Sequence, residues 1–140
     1  NRINPEHKNL KYKFILKNLS KMDNTKFDIA LCSNGKILET GTSNIIFIKD
    51  NKFYSPIRKF YRGVNLKFFE KQFKIKKTNI NINKLNQYEE ILLIGSGKGV
   101  STVSSIKEKN WNRKKYKSYE TFVSKYKTQI LKQKKLSNYL

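Results

Sequence analysis

Residues 38–48 read LETGTSNIIFI, and this stretch decides how the chain can fold. The run from Asn44 to Ile48 is apolar after its first residue, which is typical of a strand that is covered on both faces of a sheet. Before it, Glu39 ends a shorter strand, and a loop of small and polar residues connects the two. A carboxylate at the mouth of a buried sheet needs a partner, because an unpaired buried charge is costly. The alternative is an exposed glutamate at a strand end.

Upstream of this stretch, the spacing of apolar residues predicts a helix and a hairpin. Residues 12–22 place Ile15, Leu19 and Met22 at helical intervals. Residues 27–31 alternate between apolar and other side chains, as a half-buried strand does. Asn34-Gly35 then predicts a tight hairpin turn, because both positions accept a positive φ angle, and residues 37–40 form the return strand.

Downstream, the pattern predicts a strand that ends at Pro56, a helix over 64–71, a strand that starts at Phe73, a short helix over 82–88, a buried strand over 89–94 and a strand over 100–106. A last helix follows. In it Phe122, Tyr126 and Ile130 share one face, and Ser118 is the predicted N-cap. This mixed order predicts one α+β domain over residues 1–140, an irregular α/β pseudo-barrel.

The composition allows two interpretations of the charge. The chain has 31 Lys and Arg against 10 Asp and Glu, a formal charge of +21. Clustered cations bind nucleic acids by releasing counterions, so a polyanion partner is one interpretation. The other is a general bias towards lysine. We favour this second interpretation, because lysines outnumber arginines, and arginine is the side chain that suits bidentate recognition of phosphates and bases.

The counts of cysteine and histidine, and the absence of long apolar runs, argue against several kinds of site and location. Cys32 is the only cysteine and His7 the only histidine, so neither an internal disulfide nor a Cys/His metal cluster is expected. Cys32 lies in an apolar strand and is predicted to be a buried, inert thiol. Neither a signal peptide nor a membrane span is evident, so we expect a soluble cytoplasmic protein with no membrane partner. Because the chain starts at Asn1, we treat it as a candidate fragment.

Two segments have the composition of anion-binding cradles. Residues 62–65, RGVN, precede a helix, where free backbone N–H groups and the helix dipole favour a phosphate. Residues 95–99, GSGKG, leave a buried strand with small residues, a hydroxyl and a cation. Lys98 lacks the Gly-Lys-Ser/Thr ending of a P-loop, and the dinucleotide fingerprint is absent. ATP and NAD are therefore not the expected ligands.

Four segments together resemble the class IV aminotransferases. Residues 38–48 are similar to the E-x-x-x-S-N-hydrophobic signature of that family, and residues 62–65 are similar to its G-V helix start. Residues 89–100 resemble its D-E-V strand and loop. Residues 5–11, PEHKNLK, resemble the approach to its cofactor lysine, in the form of the aminodeoxychorismate lyases. The four segments follow the family's order and spacing across about two thirds of the chain.

This resemblance implies the C-terminal, cofactor-holding domain of the D-amino-acid aminotransferase-like fold, without the smaller N-terminal domain of the family. It implies pyridoxal 5'-phosphate as the cofactor. Lys11 would bind it covalently and move a proton, and Glu39 would bind the pyridine nitrogen. The phosphate would be held by Val64, Asn65, Ser96 and Gly97. The family's arginine a few residues into the Gly63 helix is missing, since Leu66, Lys67, Phe68 and Phe69 stand there, and Arg62 or Lys67 would supply charge instead.

The implied reaction is that of an aminodeoxychorismate lyase, which eliminates pyruvate to leave p-aminobenzoate. A branched-chain or D-amino-acid transaminase is the alternative within the family, since substrate choice lies mainly in the missing domain. The substrate would be a small amino acid or aminodeoxychorismate-like molecule, and family members are homodimers. A basic nucleic-acid-binding module without catalysis is the alternative from another class. It predicts lysines and aromatic residues on one sheet face. A non-catalytic relative is a third.

Overall fold

The computed structural model describes residues 10–18, 27–41, 43–57, 63–95 and 99–137 of the chain. Its strands are β1 Leu10–Asn18, β2 Phe27–Ser33, β3 Lys36–Thr40, β4 Asn44–Lys49, β5 Lys52–Pro56, β6 Ile75–Thr78, β7 Ile80–Asn81, β8 Glu90–Gly95, β9 Gly99–Ile106 and β10 Trp111–Asn112. Its α-helices are α1 Val64–Gln72 and α2 Lys117–Ser137. Short 3-10 helices span Ile82–Gln87 and Lys107–Lys109.

The described strands form one curled sheet. Their order is β6-β5-β4-β8-β9-β1-β2-β3-β7, with β10 paired to β9, and only the β5–β6 pair is parallel. The sheet curls until β3 contacts β4 and β5, although four strands lie between β3 and β4 in the order. The predicted α+β pseudo-barrel is therefore confirmed.

The β4–β8 pair is covered on both faces, as the apolar run predicts. Ile45 and Phe47 face the inside of the curl and join a core that is closed by Trp111. Ile46 and Ile48 face the opposite way, into a second core beneath α1 and α2. All four side chains are at most 1% exposed, so successive residues of β4 contribute to the two cores in alternation.

The predicted Asn34-Gly35 turn forms with the expected backbone, and a second turn with the same signs of φ connects β4 to β5. Asn34 and Gly35 have φ angles of 52° and 74° between β2 and β3. Asp50 and Asn51 have φ angles of 52° and 62° between β4 and β5. Two consecutive positive φ angles match the right-handed twist of the flanking strands, so local sequence alone determines these two turns.

The helix predicted over residues 12–22 is wrong in the part that the structure describes, because β1 occupies its first half. β1 pairs antiparallel with β2, from Lys17 opposite Phe27 to Leu10 opposite Ser33. Leu16 is 1% exposed whereas Ile15 is 50% exposed. Neighbouring residues on opposite faces mark a strand, so pairing with β2 overrides the helical spacing.

Near the other end of the chain, the predicted helices form but their caps differ. α1 buries Leu66 and Phe69 as expected, while Phe73 is its C-cap, so the next strand starts two residues later than predicted. Ser118 is not the N-cap of α2. Its backbone N–H and that of Tyr119 donate to the Glu90 carboxylate, at 3.0 and 3.1 Å. Glu90, 1% exposed, therefore caps α2 from another element.

Phe122 anchors α2 to the second core, and its removal tests that packing. Its ring lies 4.7 Å from Phe69, 4.6 Å from Phe73 and 5.2 Å from Phe53, between ring centroids. We expect Phe122→Ala to lower the free energy of unfolding by about 3–5 kcal/mol, because it leaves a cavity in a buried cluster. Denaturant titration followed by circular dichroism measures this change.

Leu131→Ala on the same helix is the matched control. Leu131 is 59% exposed, so its truncation should change the free energy of unfolding by less than about 0.5 kcal/mol. Equal effects of the two substitutions would show that α2 does not pack through Phe122.

Candidate functional site

A closed turn fixes the end of β3, where Glu39 lies. The Thr40 N–H donates to the Ser43 carbonyl at 2.9 Å, and the Ser43 N–H donates to the Thr40 hydroxyl oxygen at 2.8 Å. The Gly41 N–H donates to the Ile29 carbonyl at 3.1 Å, which ties the same turn to β2. This turn holds the backbone next to Glu39 in one conformation and leads directly into β4.

Glu39 itself is half-buried, and its backbone pairs with Leu31 of β2. The register of β2 with β3 shifts between Leu31 and Cys32, so Leu38 is an extra residue on β3. Such a bulge bends a strand and changes the direction of the neighbouring side chains. The bulge at Leu38 therefore influences the direction of the adjacent Glu39 side chain.

Lys11 lies at a second bulge, on β1. Leu10 pairs with Ser33 and Tyr12 pairs with Cys32, so Lys11 is the extra residue between two paired positions. β2 separates β1 from β3, which puts the Lys11 and Glu39 backbones about 10 Å apart across the strands at the usual strand spacing. Both predicted catalytic residues thus adjoin bulges in neighbouring parts of one sheet.

The start of α1 has the properties of an anion site. The Gly63 N–H donates to the Asn44 side-chain oxygen at 3.0 Å, and the first backbone bond of the helix runs from the Lys67 N–H to the Gly63 carbonyl at 3.1 Å. The intervening N–H groups, at Val64, Asn65 and Leu66, have no carbonyl partner of their own within the helix. α1 has neither a side-chain cap nor an acidic residue in its first turn. Its N-terminal dipole therefore favours an external anion.

Asn65 brings the two predicted anion cradles together. Its side-chain N–H donates to the Gly95 carbonyl at 2.8 Å, where β8 ends and the Gly-rich segment starts. Gly95 pairs with Gly99, which has a φ angle of 73°, so the two ends of that segment meet as a hairpin. Residues 62–65 and 95–99 are thereby joined through their described parts. The backbone N–H donors at the start of α1, next to this junction, fit a phosphate group.

Three of the predicted site residues, Arg62, Ser96 and Gly97, lie outside the described residues. Leu66 and Phe69, in the stretch that lacks the family's arginine, are at most 1% exposed and pack in the second core, so they contribute no charge to the site. The Asn44 side chain accepts a hydrogen bond at the start of α1, and Ser43 closes the turn after Glu39.

Nothing in the sequence indicated that Tyr126 lies beside Asn65. It was predicted as a core residue of the last helix, yet its hydroxyl oxygen lies 3.5 Å from the Asn65 side-chain nitrogen. Only the packing of α2 against α1 brings the two residues together. Among the residues that the structure describes, no group of three or more His, Cys, Asp or Glu side chains could hold a metal ion, and no helix is both long and apolar enough to span a bilayer.

Fold and site together define an α+β pseudo-barrel domain with a candidate anion site at the start of α1 and a half-buried carboxylate at the end of β3. The model of the family described as amino-transferase class IV matches residues 1–106. The chain therefore belongs to the class IV aminotransferase family.

Solved structures show the same fold. A provisionally assigned branched-chain amino acid aminotransferase from Thermotoga maritima is 16% identical, with a TM-score of 0.67 over 93% of this chain and 58% of that chain. The 4-amino-4-deoxychorismate lyase from Pseudomonas aeruginosa is 15% identical, with a TM-score of 0.60 over 69% and 38%. An aminotransferase from Brucella abortus, bound to the cofactor PLP, is 18% identical, with a TM-score of 0.52 over 66% and 36%.

These comparisons have a common limit in length. The chain spans 58% of the Thermotoga protein and less than two fifths of the other two. No curated protein sequence matches it significantly. At these identities, the likeness to the solved structures is a likeness of fold.

Cys32 is buried, as predicted, and has no access to the site. It is fully buried within β2, and burial raises the pKa of its thiol to about 12, against a small opposing effect of the Lys109 charge. Because thiolate is the reactive form, we expect native protein at pH 8 to react with a thiol reagent roughly a thousandfold more slowly than unfolded protein. Absorbance of the released chromophore measures both rates, and Cys32 is the only cysteine that reacts.

The pH at which the reaction rate levels off distinguishes a raised thiol pKa from steric blocking of the reagent alone. An exposed thiol is mostly ionised above about pH 9, so the rate in the unfolded chain should reach a plateau there. The native rate should keep rising with pH until about pH 12, while the fold persists. A native plateau near pH 9 would contradict the raised pKa of Cys32.

Proposed function

We propose that this protein is a pyridoxal-phosphate-dependent enzyme of its family and that its reaction is that of an aminodeoxychorismate lyase. The observation that carries the proposal is the hydrogen bond from Asn65 to the Gly95 carbonyl. It joins two segments, each of phosphate-binding composition, at the end of the sheet that presents Glu39. A phosphate-binding segment at one point and a carboxylate at another would match the phosphate and the pyridine nitrogen of this cofactor.

The phosphate group is assigned to the start of α1. The backbone N–H groups of Val64 and Asn65 would donate to it, together with Ser96 and Gly97 from the Gly-rich segment. Arg62 would add a positive charge beside the same group, since Leu66 is buried in the second core and adds none. The amides and one hydroxyl are neutral donors, so a cation there strengthens binding of a dianion.

Glu39 and Lys11 are assigned to opposite sides of the cofactor ring. Glu39 would accept a hydrogen bond from the protonated pyridine nitrogen, and Lys11 would bond to the carbon that lies across the ring from it. The two backbones, on strands on either side of β2, are separated by about 10 Å, a distance that a ring and a lysine side chain span. When bound, pyridoxal phosphate supplies an electron sink for negative charge that develops on the substrate.

During the reaction, the chain's own residues would orient and move protons. Glu39, held by the closed Thr40–Ser43 turn, would keep the ring nitrogen protonated. Lys11 would take a proton from the substrate and return one at the next step, which requires an amine that alternates between two protonation states. The bulge at Lys11 supports this assignment, because bulges re-aim side chains near active sites.

The choice of lyase over transaminase rests on residues 5–11, PEHKNLK, which resemble the lyase branch. A branched-chain or D-amino-acid transaminase is the second candidate. Its support is the high share of this chain, 93%, that superposes on the Thermotoga protein. We also propose a homodimer in the cytoplasm, with a role in making p-aminobenzoate for folate, as the family resemblance implies.

The nucleic-acid alternative has less support from the packing. A stacking platform needs aromatic rings on an open sheet face beside cations. Here Phe53, Phe69, Phe73 and Phe122 pack against one another, through edge-on, tilted and stacked ring contacts. Their rings fill a core, and the lysines are spread over many elements.

Covalent attachment tests the cofactor and the lysine together. Protein incubated with pyridoxal phosphate and then borohydride should gain one equivalent of cofactor, and peptide mass spectrometry should locate it at Lys11. Lys11→Ala should abolish this attachment, because the amine that forms the bond is gone. Lys125→Ala is the matched control, since Lys125 is exposed on α2, and it should retain full attachment.

The outcomes separate three conclusions. Attachment at Lys11 supports the proposal. Attachment at another lysine, such as Lys8 three residues earlier, overturns the assignment of Lys11 but keeps the cofactor. If pyridoxal phosphate becomes fixed nowhere, or at many lysines equally, the enzyme function itself is wrong.

Product analysis tests the reaction. With aminodeoxychorismate, we expect equal amounts of pyruvate and p-aminobenzoate, measured by a coupled assay and by fluorescence. Glu39→Gln should lower this rate by about a hundredfold while attachment persists, because a neutral amide cannot stabilise charge at the ring nitrogen. The opposite result, 2-oxo acid formed from leucine or D-alanine with 2-oxoglutarate and no p-aminobenzoate, would replace the lyase with the transaminase.

A further inference from the structure

Tyr126 lies at the junction of the two anion-binding segments and has a hydrogen to donate. Its hydroxyl oxygen accepts a hydrogen bond from the Asn65 side-chain nitrogen at 3.5 Å. The same nitrogen donates its other hydrogen to the Gly95 carbonyl at 2.8 Å. A phenol oxygen that accepts one bond retains its own O–H as a donor. Within the described part of the chain, the Tyr126 O–H has no acceptor.

The position of Tyr126 is determined by two anchors in the first half of α2. Glu90 accepts hydrogen bonds from Ser118 and Tyr119 at the helix start. One turn before Tyr126, Phe122 packs between Phe69 and Phe73. A rigid helix with two fixed points leaves little freedom for the residue that follows, so the hydroxyl is placed beside Asn65 before any ligand binds.

The surroundings of this hydroxyl favour an anion. The first turn of α1 contains no acidic residue and no side-chain cap, and its free N–H groups point out of the helix start. Asn65 is on that turn, so its neighbour Tyr126 lies at the positive end of the α1 dipole. A phenol O–H at this position is suited to a phosphate oxygen.

We propose that Tyr126 donates a hydrogen bond to the phosphate of the bound cofactor and thereby completes the cradle that the backbone N–H groups of Val64 and Asn65 begin. The proposal rests on the proposed function. It assigns a role to α2, which lies beyond the residues 1–106 that the family model matches. The hydroxyl would offset part of the charge-assisted binding lost because the α1 helix lacks the family's arginine.

A comparison of two ligands tests this role without measuring turnover. Pyridoxal phosphate and pyridoxal differ only in the phosphate, so a phosphate donor affects the first alone. For Tyr126→Phe, we expect the Kd of pyridoxal phosphate to rise about two- to tenfold, as for the loss of one hydrogen bond, and the Kd of pyridoxal to stay unchanged. Equilibrium titration by absorbance gives both constants.

Tyr116→Phe is the control, because Tyr116 precedes α2 and stacks on Arg113 at 4.5 Å instead of contacting Asn65. It should leave both constants unchanged, and thermal unfolding should show that both variants keep the ligand-free stability. If Tyr126→Phe weakens both ligands equally, or neither, the proposed role of Tyr126 is wrong while the cofactor function stands. If the parent protein binds neither ligand, the proposed function fails and this role fails with it.

Discussion

The rest of the structure depends on the antiparallel β4–β8 pair, which is buried on both faces. Each apolar residue from Ile45 to Ile48 fills one of two cores in alternation, so the pair has no solvent face. The backbone polar groups there must be satisfied by neighbouring strands, which fixes the register. Both ends of the candidate site follow from this constraint. Asn44 starts β4 opposite Ile94, and Gly95 ends β8. Gly63 and Asn65, at the start of α1, therefore contact Asn44 and Gly95 at the same end of this strand pair.

Turns and helices that depend on neighbouring residues could be predicted from the sequence, whereas pairings between distant residues could not. The Asn34-Gly35 turn and the α1 helix follow from the conformational preferences of a few neighbouring residues. The β1 segment does not, because its residues suit a helix until β2 supplies a pairing edge. The bond from Asn65 to Gly95, across thirty positions, was not predictable, although each segment was identified as an anion cradle.

The net charge of +21 has a different meaning at the site than over the surface. Exposed lysines interact weakly through water and salt, and they add mainly to a general positive potential. The candidate site would instead use oriented backbone N–H donors at the start of α1, whose first turn has no acidic residue. Donors of this kind select by position and depend less on ionic strength. A lysine-rich surface and a specific phosphate cradle can therefore coexist without one explaining the other.

The capping of α2 by Glu90 has a consequence for biosynthesis. Until residues 117–122 have been made, Glu90 has no helix amides to bind, and Phe69 and Phe73 lack the ring that covers them. At about 5–20 residues per second, the interval between β8 and Phe122 lasts roughly 1–6 s. During that interval the nascent chain exposes aromatic surface, which is the condition under which chaperones engage. Helix α2 thus also covers aromatic surface that the earlier elements leave open.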